Sequence, residues 1–204
     1  MPKQISIDSV VDAALAGIVK SQNEYEEWSG GRWLWMGPEY LITVNVANEI
    51  AKIEGTKYIT LENGASSAIE DAGAKGRGRL HNGIRQNGRF DILLWWADGT
   101  PRAVIEIKNQ IIGKEQYEKD IIRIKECLRR NNHESTLQFG LFCFYESASD
   151  GRSLAIEKIQ ERLKKIKTNT KELLGDNFKV SLVRSDIIQN LDSAWCAACV
   201  LVRL

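Results

Sequence analysis

Apolar positions recur at three- and four-residue spacing from Ile7 to about Trp28, with Val11, Ala14, Leu15, Ile18 and Val19 on one stripe, and the spacing predicts an amphipathic helix. A second helical pattern runs from Glu39 to Ile53, with Pro38 at its opening and Gly55 as its stop; Tyr40, Leu41, Val44, Ala47, Ile50 and Ala51 form its apolar face. Between them lies a glycine-bounded aromatic loop, Ser29 to Gly37. Two more helices follow from the same periodicity. One runs from about Lys114 to Arg130 with Ile121, Ile122, Ile124 and Leu128 inward, the other from Ser153 to about Leu174 with Leu154, Ile156, Ile159, Leu163 and Ile166 inward. Short, strongly apolar runs at Lys57–Glu62, Leu137–Tyr145, Phe178–Val183 and Trp195–Val202 read as strands. The Leu137 run follows a helical crossover and is therefore expected parallel to the strand before it.

The remaining stretch, Gly88 to Lys108, is two Ile-, Val-, Leu- and Trp-rich runs around Asp98-Gly99, a strong hairpin signal. Its apolar residues leave no polar face, so it reads as an interior pair of strands. Asp91, Glu106 and Lys108 break that pattern, and ionised groups in an apolar sheet are costly unless paired or metal-bound. With a two-residue turn, counting outward from Ala97 and Thr100 sets Asp91 directly opposite Glu106. Opposed residues share a face with Cβ atoms about 4.5–5.5 Å apart, and Lys108 joins them by the period of two. A three-residue loop would move Asp91 to the wrong face unless a bulge restored the register. Two opposed carboxylates call for a cation between them. Mg²⁺, with Mn²⁺ as a substitute, takes oxygen ligands and usually one or two protein carboxylates. A solvated cross-strand ion cluster is the plainer explanation of the same three residues.

An Asp, a spacer and Glu-x-Lys on adjacent strands resembles the PD-(D/E)XK phosphodiesterase superfamily, over a core from about Pro38 to Glu146. Phe90 stands where that pattern often has Pro. The resemblance implies a restriction-endonuclease-like α/β fold, a three-layer sandwich with a central mixed β-sheet flanked by helices. The order of elements independently suggests an α/β sandwich with a mixed sheet. It also implies a metal-dependent nuclease, with Asp91, Glu106 and the Ile107 carbonyl on the metal and Lys108 positioning water or stabilising charge. A further acid from the first core helix is implied as well; Glu39 is preferred at the helix opening, with Glu49 as the rival. DNA is the commoner substrate of that superfamily, in restriction, repair or mobile-element settings. The alternative is a binding module that keeps the fold without activity.

Composition adds one local feature. The chain of 204 residues has a net charge of +1 and suits one domain, 1–204. The segment Lys75 to Arg89 nevertheless carries Lys75, Arg77, Arg79, Arg85 and Arg89 with no acid, interleaved with glycine, and leads into Asp91. Such a loop suits phosphate contact, so nucleic acid is the expected partner; a disordered, solvated loop is the bland alternative. Gln116, Lys119 and Arg123 on the following helix lie within range of phosphate but are expected to be solvated surface, as are Lys164, Lys165 and Lys167. No apolar run nears the ~20 residues that cross a bilayer, and the N-terminus lacks a signal-peptide core, so no membrane partner and a cytoplasmic setting are expected. Oligomeric state is left open, a homodimer included. Cys127, Cys143, Cys196 and Cys199 read as small core hydrophobes rather than zinc ligands or disulfides.

Overall fold

The computed structural model describes residues 5–55, 57–130 and 133–204. Its centre is a mixed sheet of seven strands among the described residues: β1 (Tyr58–Gly64), β2 (Arg89–Trp95), β3 (Pro101–Asn109), β4 (Phe139–Ser149), β5 (Lys179–Arg184), β6 (Ile188–Asn190) and β7 (Ser193–Arg203). The spatial order is β1-β2-β3-β4-β7-β5, with β6 also on β7. β3 and β4 are parallel and the other pairs antiparallel. Helices α1 (Ile7–Ser29) and α2 (Glu39–Lys52) cover one face; α3 (Ala65–Asp71), α4 (Glu118–Arg129) and α5 (Ala155–Leu174) cover the other. Two apolar cores result, one on each side of the sheet. Alternate residues of β3 and β4 feed them, Ile105, Ile107, Leu141 and Cys143 on the first side, Val104, Phe142 and Phe144 on the second. Among the described residues no helix is long and apolar enough to cross a membrane.

The hairpin turn differs from the expected two-residue loop. Trp96 N–H donates to the Thr100 carbonyl at 2.8 Å and Gly99 N–H to the Trp96 carbonyl at 3.2 Å. Residues 97–99 are therefore a three-residue loop, with Gly99 in the left-handed region at φ 87°. Trp95 then pairs with Pro101 but Leu94 with Ala103, leaving Arg102 as an extra residue. That bulge restores the register that a three-residue loop would have lost, and Ile92 pairs with Ile105.

Three other expectations are corrected. Residues 65–71 form α3 inside what reads as a continuous loop. The apolar face of α2 is rotated, because Thr43 and Asn45 are buried against α1 while Tyr40 and Val44 are exposed; Asn45 Nδ2 donates to Ser21 Oγ at 3.2 Å and to Glu24 Oε2 at 2.6 Å. The cap of α2 is Ile53 rather than Gly55. The cysteines match their reading: all four are free and buried, with Cys143 and Cys199 directly opposed at an Sγ–Sγ distance of 3.2 Å.

Gly17 lets α1 and α2 approach, since a Cβ there would lie 2.5 Å from Val46 Cα. In an isolated helix Gly→Ala stabilises by about 1 kcal/mol. Here backbone overlap outweighs that gain, as overpacking costs typically 1–3 kcal/mol and sometimes more. Gly17→Ala is expected to lower the melting temperature by about 2–8 °C in thermal denaturation. An unchanged or raised value would mean the helices slide apart freely.

Candidate active site

The site forms where the β2–β3 ladder ends. Ile92–Ile105 is its last pair, and one step further Asp91 replaces a backbone acceptor with its side chain: Ile107 N–H donates to Asp91 Oδ2 at 2.7 Å. On the other side of β2, the ladder with β1 omits the pair Glu62–Asp91, and Glu62 sits in the left-handed region at φ 55°. A non-glycine residue there is strained. Both neighbours thus release the β2 backbone at Asp91. In a strand, a residue's N–H and C=O point the same lateral way, so the Ile107 carbonyl faces the same gap.

Glu106, the residue directly across from Asp91, is only 3 % exposed. Burial, then the charges of Asp91 and Asp120, push Glu106 well above the usual carboxylate range, with Arg123 opposing. Asp91 is also raised, chiefly by burial and secondarily by Glu39, against the Ile107 N–H. Both acids are thus raised by their surroundings.

Lys108 lies on the same face, half-buried. Burial alone would lower its pKa, but Glu39, Asp120 and Asp91 together outweigh that and raise it. Its Nζ is 3.2 Å from Glu39 Oε1 and 3.8 Å from Asp120 Oδ2. Glu39 is the acid that opens α2 and reaches around the end of β3, where its Oε2 also accepts the Asn109 N–H at 3.0 Å. Glu49, the rival, instead pairs with Lys52 at 2.6 Å and Lys20 at 3.5 Å, away from these groups.

Two members of the cluster were not expected from the sequence. Arg123 on α4 is 2 % exposed, not solvated surface. Its Nη1 donates to Glu106 Oε1 at 2.9 Å and to the Arg89 carbonyl at 2.7 Å, its Nε to the Ile84 carbonyl at 3.0 Å. The guanidinium carbon also lies 4.1 Å from the centre of the Phe90 ring. Asp120, one turn earlier on α4, is buried and bonds Arg85. The signal in the sequence was Asp120, Arg123 and Cys127 at three- and four-residue spacing, a polar break in an apolar stripe. Gln116 and Lys119 are exposed, as expected of solvated surface.

The basic loop divides. Arg77, Arg79 and Arg89 are exposed, Lys75 pairs with Glu70 at 2.8 Å, and Arg85 is tied to Asp120. Arg130 ties the loop to α4 through the carbonyls of Lys75, Gly78 and Arg79. The loop is thus ordered against α4 and borders the acid cluster.

Among the described residues no three Asp, Glu, His or Cys side chains are gathered closely enough to hold a metal by themselves. The donors that converge are two carboxylates and one carbonyl, Asp91, Glu106 and Ile107. That set suits a hard cation completed by water or phosphate oxygens and suits neither zinc nor a redox metal. Comparison with protein-family models, curated proteins and solved structures gives no significant match to this chain.

Arg123→Ala removes the only cation bonded to Glu106 among the described residues. Breaking a buried pair from one side costs about 3–5 kcal/mol. Because Glu106 has a raised pKa, it holds a proton more readily at low pH and then needs no counter-charge. The loss in denaturant-measured stability is therefore expected to be large at pH 8 and clearly smaller at pH 5. Equal losses at both pH values would show that Glu106 carries no shifted proton.

Proposed function

We propose that this chain is a metal-dependent nuclease of the PD-(D/E)XK type, with a restriction-endonuclease-like core, hydrolysing phosphodiester bonds of nucleic acid, in the first instance DNA. The observation that carries the reading is the end of the β2–β3 ladder, where Asp91 leaves the backbone pairing to face Glu106 with Lys108 beside them. Asp91, Glu106 and the Ile107 carbonyl would hold Mg²⁺, or Mn²⁺ in its place. The bound ion would supply charge stabilisation at the phosphate and a more acidic water.

The chain's own groups have separable tasks. The Ile107 N–H fixes one oxygen of Asp91 and leaves the other directed toward the gap. Arg123 fixes one oxygen of Glu106 and limits its rotation. Lys108, held protonated by the acids around it, cannot serve as a base. Its ammonium group orients water and balances negative charge on the phosphate as the bond breaks. Glu39 orients Lys108 and ties α2 to the end of β3. The exposed arginines Arg77, Arg79 and Arg89 give a cationic approach for the backbone of a nucleic acid. Lys75 and Arg85, already paired with acids, contribute less to it than the sequence suggests.

A second reading is favoured by one observation. The Arg123–Glu106 pair already neutralises the buried acid, which would also suit a nucleic-acid-binding module whose charges are purely structural. Metal binding separates the two. Anything that binds only the native state raises its stability by mass action. Asp91→Asn keeps an acceptor for the Ile107 N–H while removing the charge, so Mg²⁺ is expected to raise the melting temperature of wild type and not of this variant. An equal rise in both would place the metal elsewhere. Because both acids are raised and must be ionised to hold the ion, the wild-type response should also grow from pH 6 to pH 8.

Lys108→Ala tests the chemistry. It leaves both proposed metal-holding acids in place, so cleavage of plasmid or single-stranded DNA in Mg²⁺ is expected to fall by about 10²–10³-fold, while binding in Ca²⁺ changes little. Arginine at this position should restore only part of the rate, because its planar fork does not reproduce a compact ammonium. Wild-type cleavage rates in the alanine variant would remove Lys108 from the mechanism.

A further inference from the structure

Past Lys108 the chain builds a second feature. Asn109 Nδ2 donates to the Leu34 carbonyl at 2.8 Å and to the Gly37 carbonyl at 2.9 Å, holding the aromatic loop between α1 and α2 against the end of β3. The loop is fixed from behind as well. Gln22 Oε1 accepts the Leu34 N–H at 2.8 Å, and the Tyr25 hydroxyl donates to the Met36 carbonyl at 3.2 Å. So held, Trp35 stays 49 % exposed on an anchored turn. Solvent gives no reason to keep it there.

Trp35 and Trp33 line one side of a cleft of about 450 Å³, and Gln110, Ser147, Ser193 and Arg162 are among the residues lining the rest. Gln110 is held in the left-handed region at φ 61°, where a non-glycine residue is strained, and its Nε2 donates to Ser147 Oγ at 3.2 Å. Arg162 is not a loose surface arginine. Its Nη1 donates to Glu146 Oε1 at 2.7 Å and to the Ser147 carbonyl at 3.0 Å. Glu146 is fully buried, its Oε2 has no hydrogen-bond partner among the described residues, and burial raises its pKa to about 7. A fixed guanidinium, a carboxamide and hydroxyls thus share with two indoles the lining of a space large enough for an aromatic ring with a sugar attached.

We propose that this cleft receives an unstacked base of single-stranded DNA, beside the phosphodiester held at Lys108. Gln110 follows Lys108 by two residues, just past the end of β3. In a duplex each base already has neighbours on both faces, so an indole gains stacking only from a base that has left the helix. The half-polar lining suits a base edge better than an apolar protein segment. The proposal rests on the phosphodiesterase reading for the position of the strand, but not for its affinity.

Binding is therefore measured in EDTA, where no cleavage occurs, by fluorescence anisotropy of a labelled oligothymidylate and of a labelled duplex of equal length. Wild type is expected to favour the single strand. Trp35→Ala should weaken single-strand binding by about 5- to 150-fold and leave duplex binding within twofold, and Trp35→Phe should recover most of the loss. Unchanged melting temperatures would show that both variants are folded. Equal single-strand affinity in wild type and Trp35→Ala, or an equal loss on duplex, overturns the proposal. If Trp35→Ala has its effect but wild type cuts no DNA in Mg²⁺, the hydrolytic reading fails alone. If wild type cuts DNA and Trp35→Ala binds the single strand normally, the base subsite fails alone.

Discussion

Everything at the candidate site depends on keeping one carboxyl, that of Glu106, inside the sheet. A bare carboxylate there would be prohibitively costly, and two compensations act together. Arg123 supplies a hydrogen-bonded counter-charge from α4, while burial and the neighbouring acids raise the pKa so that a proton can share the load. The guanidinium needs support of its own, which it draws from the Ile84 and Arg89 carbonyls and from the face of Phe90. The turn at 82–84, the start of β2 and the crossover helix are consequently tied to one side chain. Gly88 belongs to the same arrangement, since a Cβ there would meet Arg123 Nη2 at 3.2 Å and the Arg85 carbonyl at 3.0 Å.

Around this pair the charges alternate. Glu106, Glu39 and Asp120 are each in an ion pair with Arg123, Lys108 or Arg85, and Asp91 feels the Lys108 charge. Such a network can be purely structural. What distinguishes it from an ordinary surface lattice is its position, at a gap where a strand has let go of its neighbours, together with a strained residue, Glu62, across the sheet. Strain of this kind persists only when surrounding packing over-determines it.

Much of this was legible from residue order. The opposition of Asp91 and Glu106 follows from the period of two, which survives any change in the turn provided a compensating bulge exists, and Arg102 is that bulge. The parallel β3–β4 pair follows from the length of the crossover. Arg123 and Asp120 were not legible as members of the site, because periodicity places them on a helix but does not fix how far that helix is rotated on the sheet. Asn45 on α2 shows the same limit in reverse: its polarity reads as solvent-facing, yet α1 supplies the polar partners that bury it. α3 escaped notice because Ala65-Ser-Ser-Ala68 is short and weakly patterned beside a glycine-rich run. Nor does any local signal say that the last strand enters the sheet between β4 and β5.

That insertion has a consequence for how the chain acquires its structure. β4, an almost wholly buried strand of 11 residues, pairs along nearly its full length with β7, some forty residues later, with α5, β5 and β6 emerging between them. During synthesis the hairpin, its acids and the β3–α4–β4 crossover are available first, while one long apolar edge of β4 waits unpaired. Such an edge invites pairing with another chain. The nascent protein is therefore most exposed to misassembly after its acid cluster has been made and before residues 193–203 arrive, and a chaperone that shields β4 would act in that interval.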